Sequence, residues 1–546
     1  MVFSNGRDRE ILFMKSSIDR FTIIVACIML LGCVVRLIAC FNTCIINNDG
    51  VLYIQQARAL YHGETGGLTP FHTPFFSVTP FIIAAFHYLV GDWIFSALAV
   101  SWFFGSAALI PVFLLLRRFF DRATTGLCLL LFAVMPVFVD ISCTVTREPV
   151  AVFFVALGLH FFLRHLEEGT LLAIFASGFC FLTASWSRVE ILAILVACWV
   201  LLLFLSPRKH AAVAVSLVSV AILLATLTIS EKLTGFGAAE LFQHGSPLGE
   251  YGKLRTDLRE LAFAAEYPVS KVSRFLMESR GLVWFIVLGG LFKCFAKALF
   301  YPFVLIFAAG LPRGWKLVLS DRRVFFLTAS AAAGFVVLYL YELNRWTLSP
   351  RLMTFSVIIP LSFVLGCGIA AVKDFLRYRC KAGQRTSVCL LALVLVFSTF
   401  TKNTGHRECD KLVFKDMGET IAAFDGGAGP LMISASAANQ RLVPFYANLH
   451  TEGAFHPGIF MNSWEFIEAD TPEMFVALLR ERDIGYMLWD ERNWRERAFS
   501  IDELLELPGI GLIDTRYHRD TGKMVLLRIS GKSFISDVFR SPVELE

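Results

Sequence analysis

The sequence predicts a mainly α protein: a polytopic bundle of transmembrane helices, with interfacial helices in its first outer loop and a small α/β domain at its C-terminal end. Three observations predict this. Of the 546 residues, 56% are hydrophobic and 17% charged, and the mean hydropathy is +0.63, a balance too apolar for a soluble globular chain. Apolar runs of membrane-crossing length recur between residues 21 and 400, and after Thr401 the composition turns charged and polar.

Each crossing needs about 20 apolar residues. Runs near 21–41, 93–116, 123–139, 149–163, 170–186, 190–205, 211–229, 296–312, 324–341, 352–372 and 386–400 therefore give about eleven spans. The first run is longer than a signal-peptide core and lacks a small-x-small cleavage site after it, so it reads as a retained span. The stretch 281–312 carries Lys293 and Lys297, and its first half is expected to be an interfacial helix leading into one span. The apolar segment 73–91 is broken by Pro74 and Pro80 and is expected to lie along the surface or re-enter. Two domains follow: residues 1–401 in the membrane and residues 402–546 outside it.

Basic clusters fix the expected orientation, because short loops rich in Lys and Arg stay cytoplasmic. Arg7, Arg9, Lys15 and Arg20 precede the first run, and Arg117, Arg118 and Arg122, then Arg208 and Lys209, then Arg313, Lys316, Arg322 and Arg323, then Lys373, Arg377, Arg379, Lys381 and Arg385 follow later ones. An odd number of spans with a cytoplasmic N-terminus puts the C-terminal domain on the periplasmic, or extracytoplasmic, side of the cell inner membrane. The net charge of +5 follows from this arrangement and gives no support to a nucleic-acid partner. Most cysteines lie inside apolar runs as small hydrophobes. Cys44, Cys143 and Cys409 are expected near the outer face, which leaves a disulfide among them open.

In the C-terminal domain, PLMISA and IGYMLWD read as buried strands and TPEMFVALLRERD as a helix between them. GIGLIDTRYHRDTGKMVLLRI reads as a hairpin turned at Asp520–Gly522.

Chemistry is expected in the outward loops, where isolated ionisable residues sit near the ends of spans: Asp49, Asp140, Arg147, Glu148, Arg188, Glu190, Glu342, Arg345 and Arg351. Such groups are expensive at membrane depth and tend to serve function. In NNDGVLYIQQARALYHGE, Tyr53, Ala57, Leu60 and Tyr61 fall on one helical face and Gln55, Arg58 and His62 on another, which suits a helix lying in the interface. Asn48 or Asp49 would serve there as a helix cap, Glu148 as an acid in a first helical turn before Pro149. Arg188 and Glu190 are two apart and would not face each other on a helix.

Taken together, these residues resemble a known family. The order Asp49, Tyr53, Ala57 and Gly63, then TPFHTPFFSVTP, Met135–Pro136, Arg147–Glu148–Pro149, Arg188 with Glu190, and a late Arg351 is similar to that of the GT-C type membrane glycosyltransferases. Within that type the likeness is to the glycosyltransferase family 39-like group, which includes the protein O-mannosyltransferases and the bacterial aminoarabinose transferases of lipid A. The resemblance covers residues 20–200, with Arg351 beyond them. The chain departs from the pattern in having Gly50 where many relatives carry a second acid, Glu148 where many have Asp, and Leu352 where Tyr is common.

The resemblance implies an enzyme that moves a sugar from a polyprenyl-phosphate donor to a lipid, glycan or protein acceptor at the outer face, by one inverting displacement. It makes Asp49 the candidate general base and Glu148 the candidate for orienting the acceptor or sharing its proton. Arg351 and Arg345 are the first candidates for the leaving phosphate, with Arg147, Arg188 and His72 behind them; Tyr53 and Glu190 join the substrate-binding set. No cofactor is required, and a divalent Mg or Mn ion between Asp49 and Glu148 is left open. A secondary transporter or lipid flippase, or a non-catalytic membrane scaffold, are the alternatives from other classes.

Overall fold

The computed structural model describes residues 19–530 apart from 65–76, most of 207–246, 265–270, 382, 427–429, 436–440, 452, 454–459, 462–468, 493 and 495–498. Helix α1 (Arg20–Phe41) starts at Asp19, whose carboxylate accepts from the Phe21 N–H. Two helices too short to cross a membrane follow, α2 (Asn48–His62) and α3 (Val78–Val90). Each stops at a glycine with positive φ, Gly63 and Gly91, the backbone state that ends a helix at least cost without a Cβ. Helices α4 (Trp93–Ala107) and α5 (Leu109–Leu116) together make one crossing segment.

The next crossing is broken. Helices α6 (Arg122–Val134) and α7 (Pro136–Ser142) meet at a 51° bend. Pro136 has no N–H, so the helix cannot continue its bonding through that residue. The carbonyls near the break are satisfied from neighbouring helices. Arg36 of α1, only 1% exposed, donates to the carbonyls of Ala133 at 2.8 Å and Phe132 at 3.3 Å, and the Asn403 amide donates to Val134 at 2.8 Å. A broken span is tolerated in lipid only when its freed backbone groups find such partners.

Helices α8 (Glu148–Glu168), α9 (Leu171–Ser187) and α10 (Leu192–Leu205) follow, the last preceded by a 3-10 turn at Val189–Ile191. Then come α11 (Pro247–Ala264), α12 (Lys271–Leu299), α13 (Tyr301–Ser320), α14 (Arg322–Arg345), a π turn at Thr354–Ile358, α15 (Ser362–Tyr378) and α16 (Gln384–Thr404). Among the described residues seven helices are long and apolar enough to cross a membrane, or eight if the bent pair counts as one span. The number is below the expected eleven for definable reasons. The runs 170–186 and 190–205 form shorter helices, 352–372 is interrupted by the π turn, and 211–229 lies largely outside the described residues.

The reading of 281–312 needs correction. Instead of an interfacial helix leading into one span, the chain forms two long helices, α12 and α13, that reverse at Phe300 with φ 66°. The two lysines that argued against a crossing lie on the last turns of α12. Helices α13 and α15 pack backbone to backbone: a Cβ on Gly310 would stand 2.0 Å from the Val364 carbonyl oxygen, and one on Gly368 1.9 Å from that of Ile306. Small residues of this kind let helices approach closely where lipid supplies no hydrophobic drive.

One end of the bundle is laced with ion pairs. Arg122 pairs with Asp19 at 2.6 Å, Arg323 with Glu167 at 2.7 Å, Arg313 with Asp374 at 3.0 Å and Lys373 with Asp121 at 3.1 Å. Asp49 and Glu148 begin helices at the opposite end.

That opposite end carries the α/β unit: α17 (Leu412–Asp425), β1 (Ile433–Ala435), α18 (Leu442–Ala447), β2 (Phe460–Met461), α19 (Pro472–Glu481), β3 (Tyr486–Asp490), α20 (Ile501–Leu505), β4 (Ile510–His518) and β5 (Gly522–Ile529). The sheet order is β2-β1-β3-β5-β4, with β1 parallel to β2 and β3, and β5 antiparallel to β3 and β4. The two expected strands, the helix between them and the final hairpin are all present; the short β2 was not legible.

The unit is tied to the first outer segment. Arg407 N–H donates to Asn42, Cys44 N–H donates back to the Arg407 carbonyl, and Cys44 is joined to Cys409 by a disulfide, while Cys143 is free. Contact with the unit also changes the nature of α2. On the face carrying Gln55, Arg58 and His62, the first two are buried and His62 stays exposed, and the Arg58 guanidinium donates to the carbonyls of Leu449, Thr451 and Gly453.

Two tests follow from this packing. Non-reducing peptide mapping is expected to recover a Cys44–Cys409 peptide, and reduction, or Cys44→Ser, to cost about 2–4 kcal/mol of stability. Gly368→Leu is expected to force α13 and α15 apart and abolish a folded monodisperse peak in size-exclusion chromatography, whereas Gly289→Ala, facing open space, is expected to leave it unchanged.

Candidate active site

Asp49 lies in the first turn of α2, but it does not cap the helix. The N-cap is Asn47, and the Asn47 carbonyl oxygen of the side chain accepts instead from the Val145 N–H at 3.0 Å. The Asp49 carboxylate is therefore left to reach outward, 41% exposed, and accepts from Arg351 Nη2 at 2.6 Å. Gly50 behind it is a packing requirement, since a Cβ there would stand 2.8 Å from the Val145 side chain.

Glu148 opens α8 with Pro149 in the next position, the combination a helix start favours. Its side chain is fully enclosed. One oxygen, Oε1, receives Arg188 Nη2 and lies 3.3 Å from Arg351 Nε. A carboxylate without solvent persists as an ion only when paired in this way. Arg351 thus stands between two acids, contacting both Asp49 and Glu148.

Arg188 corrects an expectation. It sits in extended backbone (φ −144°, ψ 109°) rather than in a helix, and the 3-10 turn after it brings Glu190 to 3.8 Å from its guanidinium. Burial acts to lower the Arg188 pKa, but Glu148 and Glu190 outweigh it and hold the pKa above the ordinary arginine value. Arg351 shows the same balance, burial lowering and Glu148 with Asp49 raising. Both guanidinium groups are held as cations.

These groups open onto a cavity of about 810 Å³. Its lining includes Asp49, Tyr53, Arg147, Arg188 and Arg351 from the expected set. Tyr53 is buried, with the Arg147 guanidinium 5.5 Å from its ring centre. Arg345 ends α14 exposed and is absent from the lining, because Trp346 after it turns the chain in the left-handed region and takes the place at the wall. His72 lies outside the described residues.

The lining also holds residues that sequence reasoning missed: Lys293 and Lys297 of α12, Tyr341 and Glu342 of α14, and Arg441 before α18. A signal for the lysines was available. Residues four apart share a helix face, and two lysines on one face of an apolar run fit a cavity wall better than an interface. Arg441 had no such signal, since the C-terminal unit delivers it from 392 residues beyond Asp49. Burial lowers its pKa, and the Asp49 carboxylate acts in the other direction. Five cations and Arg351 thus face a space whose lining contains only two acids, Asp49 and Glu342, a field suited to an anion.

Solved structures share the architecture. The crystal structure of ArnT from Cupriavidus metallidurans bound to undecaprenyl phosphate superposes with a TM-score of 0.56 at 13% identity, covering 94% of this chain and 98% of that one. An archaeal oligosaccharyltransferase, AglB from Archaeoglobus fulgidus, in complex with an inhibitory peptide and a dolichol-phosphate, gives a TM-score of 0.56 at 13% identity over 86% of this chain and 69% of that one. The fold is that of the GT-C enzymes. Residues 72–233 match the family model described as dolichyl-phosphate-mannose-protein mannosyltransferase, a stretch that contains Glu148 and Arg188 but neither Asp49 nor Arg351. The matched segment and the shared fold are both features of multi-pass membrane proteins. No curated protein matches the chain by sequence.

The buried pair predicts its own signature. Glu148→Gln leaves Arg188 enclosed without its main counter-charge and is expected to destabilise the purified protein by roughly 3–5 kcal/mol, read as a fall in the thermal midpoint. Adding Arg188→Met is expected to recover much of the loss; no fall in the single variant would contradict the geometry.

Proposed function

We propose that the protein transfers a sugar from a polyprenyl-phosphate carrier to an acceptor at the outer face of the membrane, with inversion at the anomeric carbon. The observation that carries this reading is the convergence of Asp49, Glu148 and Arg351 at the edge of a cation-lined cavity on a GT-C fold. Relatives of the same fold hold undecaprenyl phosphate or dolichol-phosphate, the chemistry such a field would suit.

In this reading Asp49, the exposed acid, accepts the proton from the acceptor hydroxyl or amine. The acceptor atom forms its bond to the anomeric carbon while the bond from that carbon to the phosphate oxygen breaks. The electron pair leaves on the polyprenyl phosphate. Arg351, with Lys293, Lys297 and Arg441 around it, neutralises the charge that grows on that oxygen. Glu148 takes a different role from the one its position before Pro149 suggests. Enclosed and bound to two arginines, it acts as a positioning residue that holds Arg351 and Arg188, and it does not reach an acceptor.

A divalent ion between Asp49 and Glu148 would have to displace the guanidinium that joins them. The Arg351 guanidinium contacts both acids, and among the described residues the one cluster of three metal-ligand types is Cys44, His406 and Cys409, which already contains the disulfide. No step is assigned to a metal. The same reading keeps the basic end of the bundle and the N-terminus cytoplasmic and the α/β unit outside, in a bacterial inner membrane or its equivalent.

Asp49→Asn is expected to cut transfer from undecaprenyl-phosphate mannose or a related lipid-linked sugar by at least about 100-fold, with binding of undecaprenyl phosphate retained or tightened, since Arg351 loses a competing partner. Undiminished transfer in Asp49→Asn would remove the base assignment. Absence of transfer by the wild-type protein across a panel of lipid-linked sugars and acceptor extracts would favour a flippase or transporter.

A further inference from the structure

One acid lining the cavity has an oxygen without a hydrogen-bond partner among the described residues. Asp49 is held by Arg351, and Glu148, behind it, by Arg188 and Arg351. Glu342 also lines the cavity, yet among the described residues its buried Oε2 has no hydrogen-bond partner and no ion pair joins it. Lys293 and Lys297 stand on the facing helix and do not pair with it. A buried carboxylate oxygen left without a donor is costly, and a donor on a bound ligand would satisfy it.

The wall opposite Glu342 leaves room for it. Gly290 of α12 stands against the carboxylate: a Cβ there would lie 3.1 Å from Glu342 Oε1. Residues 290, 293 and 297 fall on one stripe of α12 and all line the cavity. From Gly290 to Lys297 the helix rises about 10 Å, a length comparable to a sugar joined to its phosphate. The two ends of the stripe differ in charge. The lysine end attracts an anion, whereas the Glu342 end repels one and accepts hydrogen bonds.

We propose that Glu342, lodged against Gly290, is the recognition point for a hydrogen-bond-donating group, hydroxyl or ammonium, on the sugar of the lipid-linked donor, while Lys293 and Lys297 hold its phosphate. The inference rests on the donor class proposed above, and it makes Glu342 a specificity-determining residue rather than a participant in proton transfer. Coulombic repulsion excludes the phosphate from this end, so sugar and phosphate are bound in a single direction along α12.

The test separates sugar from phosphate. Full-length protein in nanodiscs is titrated with undecaprenyl phosphate, undecaprenyl-phosphate mannose and undecaprenyl-phosphate glucosamine, for wild type, Glu342→Gln, Glu342→Ala and Gly290→Ala. Glu342→Ala is expected to weaken at least one sugar-bearing lipid by at least about tenfold and to leave undecaprenyl phosphate within twofold. Gly290→Ala, which crowds the carboxylate, is expected to act in the same direction. If Glu342→Gln spares mannose but weakens glucosamine, the group recognised is an ammonium; if Glu342→Gln is mild and Glu342→Ala severe for mannose, it is a hydroxyl. Equal binding of both sugar-bearing lipids by wild type and Glu342→Ala overturns the proposal, as does equal weakening of all three lipids. A wild-type protein that binds none of the three defeats the donor class itself, an outcome distinct from either.

Discussion

The arrangement at the outer end of the bundle depends on one enclosed carboxylate held by two guanidinium groups. Glu148 is enclosed, and its charge exists there only because Arg188 and Arg351 reach it. Arg351 in turn places the exposed carboxylate of Asp49. The four residues come from α2, the start of α8, the turn before α10 and the turn before the π segment, so a single electrostatic network fixes how four distant parts of the chain meet. Removing Glu148 takes away the charge that both guanidinium groups share, and removing Arg351 leaves Asp49 without its ion-pair partner; these costs hold the constellation to one geometry.

The same principle governs the supports around it. The break at Pro136 frees carbonyls at the depth of the bundle, and Arg36 and Asn403 satisfy them from α1 and α16. The first outer segment is clasped to the chain after α16 by backbone pairing and by the Cys44–Cys409 disulfide. Arg58 closes the other end of α2 against carbonyls of the α/β unit. The helix bearing Asp49 is therefore anchored at both ends, which gives the carboxylate a fixed position relative to the cavity. A floating interfacial helix would not.

The charge distribution of the cavity then divides labour. The exposed acid at its edge is paired with an arginine that a phosphate would compete for, and the lysines of α12 extend the positive field. Glu342 is the exception, an acid at the other end of the lysine stripe. Such a gradient along one helix can orient a ligand that is anionic at one end and hydroxylated or aminated at the other.

The sequence by itself determined the membrane-helical class, the strands and hairpin of the last segment, and the positions of Asp49, Glu148, Arg188 and Arg351. These were legible because apolar length, strand pattern and an ion at a span end are local properties, each carrying its energetic cost within a few residues. Only the tertiary structure decided which ions meet. Glu148 lies 203 residues from Arg351, and nothing local states that they share one charge cluster. Nor could local pattern show that Lys293 and Lys297 face a cavity, that Arg441 is carried to Asp49 by the α/β unit, or that Gln55 and Arg58 of α2 are covered. Each depends on what packs opposite, and the desolvation that makes such contacts decisive exists only once distant segments have closed together.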